Sequence, residues 1–168
     1  FQIAFPCPNP YWLDPDSTVK GFPEIQAQLS FPSGVGFGFP STGAAIALQT
    51  GQPSGPMSNP GHVDCPVKIT FNGPAVNPSI INSTTGEWIK VRLTLALGDR
   101  IDIDTSLENR SVTYTPAGGA TVNGMQYLDL SSTFWQLIPG VNTFQFTDDA
   151  SSILARAVVT WNARYIGV

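Results

Sequence analysis

Three carboxylates within residues 99–104 are the densest group of chemically capable side chains in the sequence. Asp102 and Asp104 are two residues apart, so on a strand they share one face and lie within about 7 Å of each other. Carboxylate oxygens ligate calcium, so a calcium site that includes Asp99 is conceivable. The simpler interpretation is the solvated polar face of a half-exposed strand, and we predict no metal ion or other cofactor.

His62 is the single histidine of the sequence, and it stands between Gly61 and Val63 in a segment rich in Gly and Pro. A Ser-His-Asp triad would have to use it, whereas this setting is typical of an ordinary exposed histidine. A glycosidase needs two opposed carboxylates in apolar surroundings, and the sequence offers no such pair. We therefore predict that the chain is not an enzyme.

Aromatic side chains offer a different chemistry, because sugars stack on exposed rings. Trp88, Tyr127 and Trp135 are the candidate contacts for a saccharide or a protein partner, with Asn and Asp side chains alongside. Each large aromatic buries about 150–250 Å² when it lies in a core, so a core role is the more frequent one. Carbohydrate binding to a host-surface saccharide stays open as the alternative function.

The two cysteines, Cys7 and Cys65, are far apart and flanked by prolines. Two isolated cysteines do not make a disulfide framework, although a bond between them is conceivable. We expect free, partly buried thiols that behave as small apolar side chains.

Composition excludes several classes of partner. The 8 Lys and Arg residues are scattered and the net charge is −4, which argues against nucleic-acid binding. No run approaches about 18 apolar residues, so no membrane insertion is predicted. The first residue is Phe1 and no signal peptide is apparent, so we expect the chain to begin inside a longer gene product.

The sequence divides into three predicted regions. Residues 1–12 resemble a strand that leaves its sheet through alternating prolines. Residues 13–60 form a connector rich in Gly, Pro and Ser, with short β pieces. Residues 61–168 carry strong period-2 patterns, as in Val67, Ile69 and Phe71, and no sustained helical period. This last region predicts an all-β domain, an antiparallel β-sandwich.

Two local predictions refine this sandwich. Alternating apolar residues at 89–97 and 101–103 flank Gly98-Asp99 and predict a β-hairpin closed by that turn. Residues 134–138 are expected to form a short helical turn. Pro139-Gly140 suits a type II turn, after which the Asn142 side chain can bond to nearby backbone.

An ordered series of motifs resembles the C-terminal domain of the distal tail protein family of long-tailed bacteriophages. The series is Asn72-Gly73-Pro74, Asn77-Pro78, Thr85-Gly86-Glu87, Leu97-Gly98-Asp99, Ile103-Asp104-Thr105, Ser131 with Phe134-Trp135, Leu137-Ile138-Pro139-Gly140-Val141-Asn142, and Trp161 with Tyr165. Pro10-Tyr11-Trp12 also resembles the end of that family's N-terminal domain. The order and spacing carry the resemblance more than any single motif does.

The resemblance implies a structural role at the phage tail tip. Members have an N-terminal β-domain that forms a hexameric ring and a C-terminal sandwich of the galectin-like or jelly-roll type. The full-length protein would then be a homo-hexamer and a hub for the tail tube, tail-tip and receptor-binding proteins. It would support assembly and host adhesion in the virion, after synthesis in the host bacterial cytoplasm. Residues 1–12 would be the last strand of the ring domain.

Overall fold

The computed structural model describes residues 10–22, 54–152 and 154–166, and these form strands with one short 3₁₀ turn at Met125–Tyr127. The strands are β1 (Trp12–Leu13), β2 (Thr18–Phe22), β3 (Ser54–Asn59), β4 (Cys65–Asn72), β5 (Ala75–Val76), β6 (Ser79–Asn82), β7 (Glu87–Lys90), β8 (Thr94–Leu95), β9 (Arg100–Asp104), β10 (Ser111–Thr115), β11 (Val122–Asn123), β12 (Gln136–Leu137), β13 (Gly140–Thr147), β14 (Arg156–Trp161) and β15 (Arg164–Tyr165). The all-β prediction is confirmed.

The first sheet has the strand order β11-β10-β9-β4-β14-β2, and β12 pairs with the start of β4. All of these pairings are antiparallel, with Ile69 opposite Ile103 and Val159 on its two sides. Because side chains alternate along a strand, one face of this sheet is apolar and the other carries residues such as Lys68 and Asp102. The period-2 pattern read from Val67 to Phe71 is confirmed as β4.

The second sheet has the order β3-β13-β6-β7 and is also antiparallel. Phe144 and Phe146 on β13 point inward, as Ile80 and Ile89 do on the two neighbouring strands. Thr143 lies on the opposite, exposed face. This second sheet covers the apolar face of the first and completes an antiparallel β-sandwich.

The core lies between the two sheets and is nearly all apolar. Phe71 of the first sheet stacks on Phe146 of the second with ring centroids 6.0 Å apart. Trp135 fills the space beside Phe144, at a centroid distance of 4.8 Å. Each large side chain buried in this way contributes about 1.5–3 kcal/mol to stability.

The predicted hairpin around Gly98-Asp99 is wrong. β7, which begins this apolar run, pairs with β6 of the second sheet, whereas β9 pairs with β4 and β10 of the first. The chain therefore crosses from one sheet to the other between them. Inward-facing residues of both sheets meet the same core, so the apolar alternation continues through the crossing and mimics one hairpin. Gly98 does occupy a tight turn, with φ of 91°.

The helical turn predicted at residues 134–138 is also wrong, since Gln136–Leu137 forms β12 and pairs with Pro66 and Cys65. Trp135 and Leu137 are both buried, which is the alternation of a strand rather than of a helix.

Residues 137–142 form the turn expected at Pro139-Gly140. Gly140 has φ of 93°, the positive value that a type II turn requires at this position. The Asn142 amide donates to the carbonyl oxygens of Ile138 at 2.8 Å and Gly140 at 3.2 Å, as expected. Asn59 adds a bond that the sequence did not reveal, from its buried amide to the Leu137 carbonyl oxygen at 2.9 Å.

Strands from the predicted connector are part of both sheets. β2 pairs with β14 in the first sheet, and β3 pairs with β13 in the second. Residues 18–22 and 54–59 therefore contribute to the sandwich, with Phe22 and Met57 buried in its core. Residues 1–9 and 23–53, which include Cys7, lie outside the described residues.

We predict that Gly73→Ala destabilises the fold. An added Cβ would overlap the backbone carbonyl of Ala96, which cannot move without disturbing the neighbouring turn. We expect a loss of about 1–3 kcal/mol in the free energy of unfolding, measured by urea titration. Gly21→Ala is the matched control, because nothing lies within 4 Å of its added Cβ. Equal stabilities for the two variants would contradict this account of the turn.

Candidate functional site

The three candidate aromatic contacts do not form one exposed platform. Trp135 is 1% exposed and belongs to the core. Trp88 is half-buried on β7, opposite Ile81 of β6. Tyr127 is also half-buried and packs edge-on against Tyr114, with ring centroids 5.6 Å apart. Trp135 in this position presents no face to a ligand, which leaves Trp88 and Tyr127 as separate, partly covered rings.

Asp99 is separate in role from the other two carboxylates, because it organises a turn. Its Oδ2 accepts hydrogen bonds from the Ala96 N–H at 2.9 Å and the Tyr114 hydroxyl at 3.1 Å, and its Oδ1 accepts one from the Ala117 N–H at 2.8 Å. The bonds from Ala117 and Ala96 hold the pKa of Asp99 below its ordinary value of 3.8. This carboxylate joins two loops and stays ionised, as a structural group would.

Asp102 and Asp104 do share one face of β9, as the two-residue spacing predicts. Each is paired with a cation across or along the sheet: Arg100 Nε lies 2.8 Å from Asp102, and Lys68 Nζ lies 3.6 Å from Asp104. Thr70 also donates its hydroxyl to Asp102 at 2.8 Å. Within the described residues, no group of three His, Cys, Asp or Glu side chains is arranged to hold a metal ion.

These residues line a shallow groove of about 470 Å³ on the outer face of the first sheet. Most of its lining residues are polar and come from four adjacent strands and one loop. They are Thr160 of β14, Lys68 and Thr70 of β4, Arg100, Asp102 and Asp104 of β9, Asn109 of the loop between β9 and β10, and Ser111 and Thr113 of β10; Ile69 and Ile103 complete the lining. The alternation of residues predicts a solvated face here but not a groove, since the walls of the groove come from distant parts of the chain.

His62 is exposed at one end of the sandwich and is not one of the groove residues. Its backbone N–H donates to the Arg164 carbonyl oxygen at 2.9 Å, and its ring meets the edge of Tyr165 at a centroid distance of 5.3 Å. These contacts attach β15 to the sandwich and give the imidazole a packing role.

Cys65 is a buried free thiol. Burial raises its pKa to about 12, so the thiolate that a nucleophile needs is absent at neutral pH. The expected free thiol is confirmed at Cys65, and it is fully rather than partly buried.

An exposed apolar ribbon extends from the end of the sandwich where the described chain begins. β1 and β15 pair as a two-stranded sheet, with Trp12 opposite Tyr165. Trp12 is 72% exposed, Leu13 is 51% exposed and Ile166 is 55% exposed. Successive residues of a strand point to opposite faces, so each face of the ribbon carries one exposed apolar side chain, Trp12 or Leu13. No sequence pattern indicates the exposed ribbon, because exposure depends on the surrounding fold.

A second feature that sequence reasoning missed is the loop that covers the edge of β7. The Asp129 and Thr133 N–H groups donate to the carbonyl oxygens of Lys90 and Trp88, both at 2.9 Å. The Asp129 carboxylate accepts from the Ser131 N–H and from Arg92 Nε, and these two contacts lower its pKa. A covered edge cannot pair with another chain, so this side of the sandwich is protected from strand addition.

The fold defines an antiparallel β-sandwich domain with a polar groove on one face and an apolar ribbon at one end. The chain belongs to a family of siphovirus-type tail components: the model of the family's C-terminal domain matches residues 60–165, from β4 to β15. No curated protein and no solved structure matches the chain. The protein is therefore a phage tail component.

Within the described ranges, no helix is long and apolar enough to cross a membrane.

We predict that Asp99→Asn lowers stability by roughly 1–2 kcal/mol at pH 7, because an amide cannot accept all three hydrogen bonds. A carboxylate with a lowered pKa stabilises the fold at neutral pH, and this contribution disappears as pH falls below 3.8 and through the folded-state pKa. The difference in the free energy of unfolding between wild type and variant should therefore become smaller in acid. Urea unfolding at pH 7 and pH 3 measures it.

Asp16→Asn is the control for that experiment, because Asp16 is an exposed residue of the same type. If wild type and Asp99→Asn differed in the free energy of unfolding by the same amount at pH 7 and pH 3, the assigned role of the carboxylate would be contradicted.

Proposed function

We propose that the protein is a distal tail component, a hub at the tail tip that supports assembly and host adhesion. The observation that carries the proposal is the family match over residues 60–165, which places the whole run from β4 to β15 in a tail component. The ordered turn motifs described above point the same way. Turns such as Gly73-Pro74 and Pro139-Gly140 specify a fold rather than a reaction, which suits a structural protein.

The apolar ribbon is the assembly contact in this proposal. Backbone hydrogen bonds from His62 and Asp14 hold the ribbon to the sandwich. Its exposed apolar side chains, Trp12, Leu13 and Ile166, offer area that a neighbouring protein could bury. Trp12 suits an interface centre, since tryptophan is enriched among the residues that dominate binding energy. Residues 1–12 would end an N-terminal ring domain, which puts the ribbon at the junction between ring and sandwich.

In the full-length gene product, six copies would surround the tail axis and contact the tail tube and the tail-tip or receptor-binding proteins. Closed cyclic symmetry repeats each contact six times, and multivalent engagement raises the effective concentration of every later contact. A single modest patch is then sufficient for stable assembly. The protein would act at the tip of the virion's tail, after synthesis in the host bacterial cytoplasm.

We propose a non-enzymatic role, which the same family and the chemistry of the described residues support. Asp99 is committed to hydrogen bonds within a turn, and the Cys65 thiol is buried and protonated. His62 packs against Tyr165 rather than against a nucleophile. Each candidate catalytic group thus has a structural contact that accounts for it.

We expect Trp12→Ser, introduced into the phage, to lower incorporation of the protein into tails by at least about tenfold, as for an interface centre. Quantitative immunoblotting of purified virions measures incorporation. Leu107→Ser is the control, because Leu107 is 69% exposed but lies in the turn between β9 and β10. Circular dichroism melting of the isolated chains confirms that both variants fold. Incorporation of Trp12→Ser at the wild-type level would overturn the role given to the ribbon.

A further inference from the structure

The groove on the outer face of the first sheet has the chemistry of a ligand site. Strand pairing places its side chains in two parallel rows across the sheet. One row holds Thr160, Lys68, Asp104 and Ser111, and the next holds Thr70, Asp102 and Thr113. Adjacent strands lie about 4.8 Å apart, so each row presents a polar group at that interval.

Hydroxyl groups in the groove are available to a ligand. Among the described residues, the Ser111, Thr113 and Thr160 hydroxyls have no hydrogen-bond partner, and all three residues are partly exposed. Each hydroxyl both donates and accepts. The carboxylates of Asp102 and Asp104 keep further lone pairs free beside them, because each oxygen accepts more than one bond.

Charge in the groove is balanced, and this decides the class of ligand. Lys68 is paired with Asp104, and Arg100 with Asp102, so the two cations are neutralised where they stand. An anionic ligand would have to compete with these carboxylates, and a cationic one with Lys68 and Arg100. A neutral molecule rich in hydroxyls competes with neither kind of charged group. It can form hydrogen bonds with the hydroxyl groups and the carboxylates of the groove.

We infer that this groove binds a neutral saccharide. The site differs from the one that Trp88, Tyr127 and Trp135 suggested, because none of those rings lines the groove. Among its described walls there is no aromatic platform, so hydrogen bonds supply the affinity, which falls in the millimolar range for one site. The inference rests on the adhesion role in the proposed function and deepens it, because it names the class of ligand that adhesion would use. Multiple copies in one tail would raise the avidity for a polysaccharide surface.

The test titrates the ¹⁵N-labelled 168-residue chain with lactose, maltotriose and N,N′-diacetylchitobiose, with glycerol 3-phosphate as the anionic comparison. We expect at least one neutral sugar to shift amide resonances of β4, β9 and β10. Thr113→Val should weaken that binding about fivefold, the effect of one lost hydrogen bond. Thr143→Val is the matched control, since Thr143 is exposed on the outer face of the other sheet.

The inference would be overturned by no shift of groove resonances with any sugar, by equal or tighter binding of glycerol 3-phosphate, or by equal weakening of sugar binding in the two variants. Shifts centred on Trp88 or Tyr127 would assign binding to those rings and would equally overturn it. Virions that carry Thr113→Val should assemble normally and adsorb less well to cells, so failure of the groove is distinguishable from failure of the tail-hub role.

Discussion

Packing of the two apolar sheet faces against each other is the interaction on which the rest of the structure depends. The ring pair Phe71–Phe146 joins strands that are far apart in sequence, and Trp135 packs on Phe144 in the same core. Because this core absorbs the inward-facing residues of every long strand, the outward-facing residues are free to vary in chemistry. The polar groove, the covered edge and the apolar ribbon all lie outside this core, which is complete without them.

Buried polar groups fix the loops at the ends of this sandwich. Asp99 joins the turn after β8 to the turn after β10, and Asn59 and Asn142 bind carbonyl groups of the turn before β13. Asp99, Asn59 and Asn142 are at most 7% exposed, and a buried polar group without its partner is costly. The loops are therefore held in single conformations, a property suited to a part that must fit against neighbours in an assembly.

Alternation along Val67–Phe71 was sufficient to predict β4, because period 2 is a local property of a strand. The crossing between sheets near Gly98 was not predictable, since both sheets contribute inward residues to one core and the alternation does not change there. The site was harder to predict than the fold. Trp135 has the residue type of a sugar platform, yet its burial depends on Phe144, and the groove requires four strands that only tertiary pairing brings together.

The most direct test of the tail-hub account is the native mass of the full-length gene product, measured by native mass spectrometry with negative-stain imaging of the same sample. The account predicts a six-subunit ring in which the ribbon around Trp12 is covered. A monodisperse monomer whose ribbon remains exposed would contradict it.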